Sequence, residues 1–326
     1  MIIEDIKAFA GQHCETTTTG TLLLQNDISM SEPMLFGLGE GLNFIFWNMK
    51  GMEFPFLGGR IKPDQLTRNI CNNLNLKLEI KETASTGKAW QNVTEKIEKG
   101  MIVGLKLDSF YLEYFTKKIH FAAHYVAFCG YDDTYAYLVD TRQQGGLVKT
   151  SLKSLELARN EKGPMSSRNL SYTISKNSTT CNLPGVIVKA LKSNAKEFLN
   201  PAIANMSYKG IQKTASEIKR WFRTSPDKKR DFITVAHLME KAGTGGSLFR
   251  NLYRDFLEEA LNYVKKPKIT EAFSLFKVIA PQWKEVVDCF EKAGNSGDEK
   301  YILKASEHLL QISDNEKRAM EKLVRI

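Results

Sequence analysis

Apolar and polar residues change period several times along the first 180 positions of the chain. Thr16–Leu24, directly after Cys14, has the pattern of a helix. Lys62–Leu74 places Pro63 at a helix start and Leu66, Ile70 and Leu74 at four-residue spacing, which predicts a second one. Leu76–Lys81 alternates as a strand does, Thr86–Lys99 is helical, and Met101–Leu107, entered through Gly100, has the continuous apolar run of a buried strand. His120–Gly130 and Tyr135–Asp140 are rich in aromatic and β-branched residues, and the intervening Asp132-Asp133-Thr134 predicts a hairpin. Asn169–Ser175 supplies one more strand. Helices first and strands after them predict a layered α+β domain over residues 1–180 rather than a repeating βαβ unit.

Ser175–Pro184 is polar and breaks these patterns, so the linker is expected there. Beyond it the period is helical almost throughout: Val186–Leu199, Lys209–Phe222, Phe232–Lys241, Ser247–Val264, Ile269–Phe276, Trp283–Ala293, Glu299–Ile312 and Asn315–Val324. The expectation for residues 181–326 is an all-α domain. No repeat or low-complexity tract interrupts it.

Composition narrows the setting. At 326 residues and 42% hydrophobic the chain can bury a sizeable core and divide into two domains. Cys14, Cys71, Cys129, Cys181 and Cys289 are odd in number and widely spaced, with no Cys-x-x-Cys pair and no zinc-like Cys/His spacing. Free thiols, a reducing compartment and no structural metal follow as expectations. Acidic residues within the first five positions argue against a signal peptide, and no window approaches a membrane span, which predicts a soluble cytoplasmic protein. Residues 181–326 hold 26 Lys+Arg against 18 Asp+Glu, nearly all of the chain's net charge of +9. The densest stretch runs from Lys209 to Arg230, through Lys213, Lys219, Arg220, Arg223, Lys228 and Lys229. Nucleic acid, an acidic protein or an anionic substrate would suit such a surface, and so would plain solvent.

The candidate chemistry centres on Cys14. A cysteine is a nucleophile only as its thiolate, and a helix start and a neighbouring imidazolium both favour that form. Cys14 has a predicted helix behind it, His124 lies on a predicted strand, and Asp140 ends the next strand of the same hairpin, where it could orient the imidazole. An acyl-enzyme would need an oxyanion site, for which the Cys14 N–H and the side chains of Gln12 or His13 are candidates. The bland alternatives are a small buried cysteine, a core histidine and a turn aspartate. Cys129 reads as core, and His120, His237 and His308 have no evident partners. Two glycine-bearing stretches carry weaker signals. Phe36–Leu42 lacks both the preceding strand and the Gly-Lys-Ser/Thr of a nucleotide loop, leaving a turn, or a loop that brings Glu40 and its backbone to a substrate. Gly243-Thr244-Gly245-Gly246 precedes a helix that Ser247 could cap, with Arg250 and Arg254 near enough to hold an anion, unless it is a tight helix connection.

The strings Gln12-His13-Cys14-Glu15-Thr16-Thr17 and Ser31-Glu32-Pro33-Met34-Leu35-Phe36-Gly37-Leu38-Gly39-Glu40-Gly41-Leu42 resemble the butirosin-biosynthesis protein H N-terminal family. His124-Tyr125-Val126, Gly130-Tyr131-Asp132-Asp133 and Val139-Asp140 fit that family and also look like bacteriocin-processing cysteine peptidases. Gly243–Arg250 with Tyr253 and Asp255–Ala260 resembles the helical domain of unknown function that often follows it. The resemblance implies a papain-like fold and acyl transfer through Cys14, with His124 as base and Asp140 as its orienter. The donor would be an acyl carrier protein thioester, in antibiotic or nonribosomal-peptide-type biosynthesis, and the acceptor a small-molecule amine. No cofactor is implied beyond the donor's own phosphopantetheine, and neither nucleic acid nor membrane is an expected partner. The glutamine that papain-like enzymes use for the oxyanion lies further upstream than Gln12, and Ala8 stands where it would be sought. A peptidase or amidase using the same three residues, and a non-catalytic binding module, are the rival functions. A homodimer is consistent with the apolar helical faces.

Overall fold

The structure, a computed structural model, describes residues 1–163, 166–177, 181–241 and 244–326. Positions 178–180 of the expected linker and Gly243 of the glycine run lie outside the described residues. The chain forms two compact units, one of Met1–Leu35 with Pro63–Cys181 and the other of Phe36–Lys62 with Asn182–Ile326.

In order, the chain makes α1 (Cys14–Gln25), α2 (Glu32–Leu38), β1 (Leu42–Trp47), β2 (Phe56–Arg60), α3 (Gln65–Asn73), β3 (Leu76–Lys81), α4 (Thr86–Ile97), β4 (Val103–Leu107), β5 (His124–Tyr131), β6 (Tyr135–Val139), β7 (Leu147–Ser151), α5 (Leu152–Asn160) and β8 (Ser171–Lys176). Six helices follow: α6 (Leu183–Leu199), α7 (Ser207–Thr224), α8 (Lys228–Lys241), α9 (Leu248–Tyr263), α10 (Pro267–Ser296) and α11 (Lys300–Leu323).

The first unit is a six-stranded antiparallel sheet in the order β3-β8-β4-β5-β6-β7. Val103, Leu105 and Leu107 of β4 alternate onto one face, and the register sets Val103 opposite Phe128 and Leu105 opposite Val126 of β5. Val93 and Ile97 of α4 and Leu155 and Ala158 of α5 close that core. Helix α1 packs against β5 and is buried from Glu15 to Leu23. A helix buried all round needs no amphipathic stripe, and the buried part of this one is mostly five threonines, a glycine and leucines. Four of its hydroxyls are bonded at home or nearby: Thr16 donates to Glu32, Thr17 to the His13 carbonyl, Thr21 to that of Thr17, and Thr19 pairs with Thr67 at 2.8 Å, while the Thr18 hydroxyl is buried without a partner. Glu15, without solvent exposure, accepts from the backbone N–H and hydroxyl of Thr67 in the first turn of α3, joining the two helix starts. Gly104 in β4 leaves room for the Tyr172 ring of β8, which a Cβ would meet at 2.2 Å. This is the expected α+β layering, with a cysteine-headed helix on an antiparallel sheet.

The second unit departs from the expected division at 180/181, because it takes in residues 36–62. The reason lies in β1 and β2, an apolar hairpin that could not stand alone. Its backbone is completed by the helical chain: Asn194 Nδ2 donates to the Leu42 carbonyl, Phe46 N–H to Asn205, and Arg250 Nη1 to Gly59. Eight predicted helices become six. Ile269–Phe276 and Trp283–Ala293 fuse into α10 across Pro281, and Glu299–Ile312 and Asn315–Val324 fuse into α11. Proline removes one backbone bond, but Phe276, Ile279, Ala280, Trp283, Val286 and Val287 form one continuous buried stripe, and packing outweighs the local break. No helix among the described residues is long and apolar enough to cross a membrane.

At the centre of this unit Arg250 and Glu316 are both without solvent exposure. Glu316 accepts from Arg250 Nε at 2.8 Å, Arg250 Nη2 at 2.9 Å and Trp283 Nε1 at 2.9 Å, while the guanidinium lies 4.7 Å from the Trp283 ring centroid. Removing one member of a buried ion pair strands the other charge, so Arg250→Met should destabilise this unit by about 3–5 kcal/mol. Adding Glu316→Leu should recover part of the loss, with the Trp283 N–H left unpaired at about 1–3 kcal/mol. Urea denaturation measures both; a single variant with the wild-type midpoint would contradict this view of the pair.

Candidate functional site

His13 has extended dihedrals (φ −101°, ψ 131°) and Cys14 is the first residue of α1. A helix start presents unbonded N–H groups and the positive end of the helix dipole, which favours negative charge on a group placed there. The Cys14 side chain is half-buried at this point. His124 opens β5 and Asp140 immediately follows β6, so the hairpin carries both to the same end of the sheet. Their separation is 2.8 Å, from His124 Nε2 to Asp140 Oδ2. With Nε2 engaged, Nδ1 is the ring nitrogen that remains for the Cys14 thiol, which lies within hydrogen-bonding reach of the ring. The three residues expected from the sequence are thus brought together in the order thiol, imidazole, carboxylate.

Burial works against a charged His124, but the Asp140 carboxylate, through its charge and its hydrogen bond, and the Cys14 sulfur together raise its pKa to about 10. Asp140 has no solvent exposure and accepts two further bonds, from the Tyr114 hydroxyl at 2.8 Å and from the Thr141 N–H at 2.6 Å. Burial and the Asp140 charge hold the Tyr114 phenol well above its ordinary range, so it stays a donor. The Phe115 ring stands edge-on to His124 at 5.2 Å. Neither aromatic residue was identified from the sequence. They belong to a Phe-Tyr-Leu-Glu-Tyr-Phe run that signals only apolar content.

The segment 108–123 that carries them is tied at both ends by Asp108. Its Oδ1 accepts from the Phe110 and Phe121 N–H groups, and its Oδ2 lies 3.0 Å from His120 Nδ1. His120, which the sequence left without a partner, therefore has one, and it also stacks on Phe110. Asp108, His120 and Glu161 present ligand atoms within 4.8 Å of one another, the one grouping among the described residues that could hold a metal ion. Glu161 is already bonded by the Tyr111 hydroxyl.

The backbone leading into Cys14 is held from two sides. Arg142, two residues beyond Asp140, donates its N–H to the Gly11 carbonyl at 2.9 Å and its Nη2 to Ala10 at 3.3 Å. Glu32 Oε1 accepts from the N–H groups of Gln12 and His13 and from the Thr16 hydroxyl, at 2.8–2.9 Å, and its Oε2 also accepts from Gln12. These bonds bear on the oxyanion candidates. The Gln12 side chain is exposed, the His13 ring is buried with Nδ1 3.4 Å from the Thr16 hydroxyl, and both backbone N–H groups point at Glu32. The Cys14 N–H stands at the start of α1.

The expected substrate residues fare differently, and all three belong to the other unit. Phe36–Leu42 is the plain turn: α2 ends in it, Glu40 adopts φ +53°, and its N–H and that of Gly41 bond back to Gly37 and Phe36. The Glu40 carboxylate accepts from Ser193 Oγ at 2.6 Å. Arg250 is the core ion pair described above and offers nothing to a ligand. Arg254 bonds Asp255 and Asn251 on its own helix. Ser247 makes no side-chain cap, and the anion position beside it is filled by the protein, since Glu240 accepts the Ser247 N–H at 3.0 Å.

The raised pKa of His124 fixes the sign of a pH effect. A proton held more tightly in the folded state stabilises it fully below the ordinary imidazole range near 6.5, and that contribution is lost as pH rises through about 10. Asp140→Asn should therefore lower the melting temperature most at or below pH 6 and progressively less towards pH 10. A deficit that stays constant from pH 6 to pH 10 would mean that the pair folds uncharged.

Comparisons with known proteins bear on this geometry. Residues 13–141 match the family described as butirosin biosynthesis protein H, N-terminal. Residues 153–323 match the domain of unknown function DUF4872. No curated protein matches the sequence. Among solved structures, a Bacillus anthracis protein described as a C39-like peptidase aligns at 18% identity over 55% of this chain and 98% of its own, with a TM-score of 0.39. The chain belongs to the DUF4872 family through residues 153–323, and ahead of that domain it carries a segment similar to the butirosin biosynthesis protein H N-terminal family.

Proposed function

We propose that the protein is a cysteine-dependent acyltransferase that accepts an acyl or aminoacyl group from a carrier-protein thioester and passes it to an amine. The observation that carries this reading is the sequence of contacts Cys14, His124, Asp140, with the His124–Asp140 bond at 2.8 Å and the thiol at a helix start. The likeness of residues 13–141 to a family named for butirosin biosynthesis supports a biosynthetic role over a digestive one.

In the first step the Cys14 thiolate attacks the thioester carbonyl of the donor, and the new oxyanion takes the Cys14 N–H. Collapse breaks the carbonyl–sulfur bond to phosphopantetheine, and the departing sulfur takes the proton from His124 Nδ1. An acyl-Cys14 thioester and neutral His124 remain. In the second step the acceptor amine attacks that thioester and His124 Nδ1 receives the amine proton. Loss of the Cys14 thiolate completes the amide and restores the imidazolium. Asp140 keeps the ring oriented through both steps and stabilises its charged form. Water in place of the amine would make the same acyl-enzyme a hydrolase.

The acidic carrier is assigned to the exposed cations of α7 and the loop and helix after it, where Lys209, Lys213 and Lys229 are exposed. Others in the stretch already have acidic neighbours: Arg220 pairs with Glu217, Arg223 with Glu299 and Arg230 with Asp231.

Incubation with an acyl-loaded carrier should yield an acyl adduct on the intact chain by mass spectrometry, absent in Cys14→Ser and formed at least about 100-fold more slowly in His124→Ala. Undiminished labelling of the histidine variant would exclude His124 from the chemistry. Decay of the adduct accelerated by added amines identifies transfer, and decay indifferent to them identifies hydrolysis. Reversing Lys209, Lys213 and Lys229 to Glu should weaken carrier binding roughly tenfold at low salt, with the difference shrinking as salt screens it. Equal binding would remove the carrier from this surface.

A further inference from the structure

The Glu32 carboxylate takes part in none of the steps above, yet it is buried and bound to the chain immediately ahead of the nucleophile. Its two oxygens receive the N–H of Gln12, the N–H of His13 and the hydroxyl of Thr16. A carboxylate only accepts hydrogen bonds, and bonds from N–H groups to a charged oxygen are about twice as strong as neutral ones. On the opposite flank Arg142 holds the carbonyls of Ala10 and Gly11. The His13 carbonyl is used in turn by the Thr17 N–H and the Thr17 hydroxyl. The Gly11 carbonyl, the Gln12 and His13 N–H groups and the His13 carbonyl are thus each tied to a partner, and the peptide that follows carries the Cys14 N–H. Gly11 has no room for a side chain, since a Cβ would meet the Thr17 hydroxyl at 2.4 Å and Glu32 Oε1 at 3.1 Å.

We propose that Glu32 is the positioning residue of the acylation step: by taking the N–H groups of Gln12 and His13 it turns the backbone so that the Cys14 N–H alone is presented to the acyl oxygen. This rests on the reading of Cys14 as the nucleophile. It also accounts for the vacancy left by Ala8, because a site without the upstream glutamine depends more heavily on the aim of the backbone donor. Glu32 touches no reacting atom. Its effect should appear only where an oxyanion develops, and not where the Cys14 sulfur reacts at a saturated carbon.

Two reagents separate these cases on the full-length chain. p-Nitrophenyl acetate acylates Cys14 through a tetrahedral oxyanion, seen as a nitrophenolate burst. Iodoacetamide alkylates the same sulfur by displacement of iodide, with no oxyanion. In Glu32→Gln the amide oxygen can still accept at the Oε1 position, but the charge is lost and an NH2 group replaces Oε2 opposite the Gln12 N–H. The burst rate should fall about tenfold or more, less than the roughly hundred- to thousandfold cost of removing an oxyanion donor because here the donor is mis-aimed rather than lost, while alkylation changes by less than about threefold. Glu32→Asp, which keeps the charge but is one methylene short, should show the same split to a smaller degree and serves as the test if Glu32→Gln does not fold. Equal losses with both reagents would make Glu32 a structural prop and overturn the proposal, as would an unchanged burst. The carrier thioester enters neither measurement, so a chain that reacts with the ester and refuses the carrier refutes the carrier assignment alone.

Discussion

A carboxylate with no access to water has to be satisfied by the protein on every side, and Asp140 imposes that demand on the first unit. It sits at the end of β6, where the ladder stops, and it collects the His124 imidazole, the Tyr114 hydroxyl and the Thr141 N–H. Each partner comes from a different stretch of chain, so one buried charge specifies how the start of β5, the segment 108–123 and the turn after β6 meet. The cost of leaving such a group unpaired is several kcal/mol. That is why the hairpin cannot slip by a residue without losing more than strand pairing: a one-residue shift would turn either His124 or Asp140 to the other face of the sheet. The orientation of the imidazole follows from the same constraint, because only one of its nitrogens can face Asp140 and the other is left for Cys14.

Much of this was legible in the sequence, and the residues tell why. Leu76–Lys81 was placed to the residue because alternation in a strand is a local property. The hairpin around Asp132 was legible because its side chain bonds the N–H groups of Thr134 and Tyr135, a turn chemistry that is also local. Cys14, His124 and Asp140 could be singled out since each stands at an element boundary that the pattern marks. What escaped was held by long-range contact. Glu32 reaches the Cys14 loop across some twenty positions, and Tyr114 reaches Asp140 across 26. Nothing in the composition of either neighbourhood encodes those meetings. The hairpin of β1 and β2 was missed for a related reason, since its stability comes from chain 152 and 191 residues away.

Arg250 shows how a local reading misleads. An arginine one turn after a glycine run at a helix start has the appearance of an anion site, and the spacing is correct for one. Its charge is instead consumed by Glu316, on a helix whose pattern gave no sign of a buried acid, and its aliphatic and planar surfaces are covered by Trp283. The glycines have a different use there. Gly59 and Gly245 pass close together, with a Cβ on Gly59 meeting the Gly245 Cα at 3.0 Å and the Arg250 guanidinium at 2.9 Å. Small residues therefore admit the arginine to the core rather than admit a ligand to the arginine.

The buried acids of this chain fall into two kinds, and the distinction bears on chemistry. Glu316 is neutralised by a full cation and Asp140 by an imidazole whose proton it retains, so each forms a charge pair. Glu15 and Glu32 are held largely by backbone N–H groups and threonine hydroxyls. An anion satisfied by fixed dipoles at a helix start contributes orientation without offering a proton. Both of these acids flank Cys14, one on the residue after it and the other across from the two residues before it. The proton that the described contacts bring to the sulfur is the one on His124. A site arranged in this way separates the two tasks of acyl chemistry, with neutral donors and dipoles setting geometry and a single titrating group moving the proton.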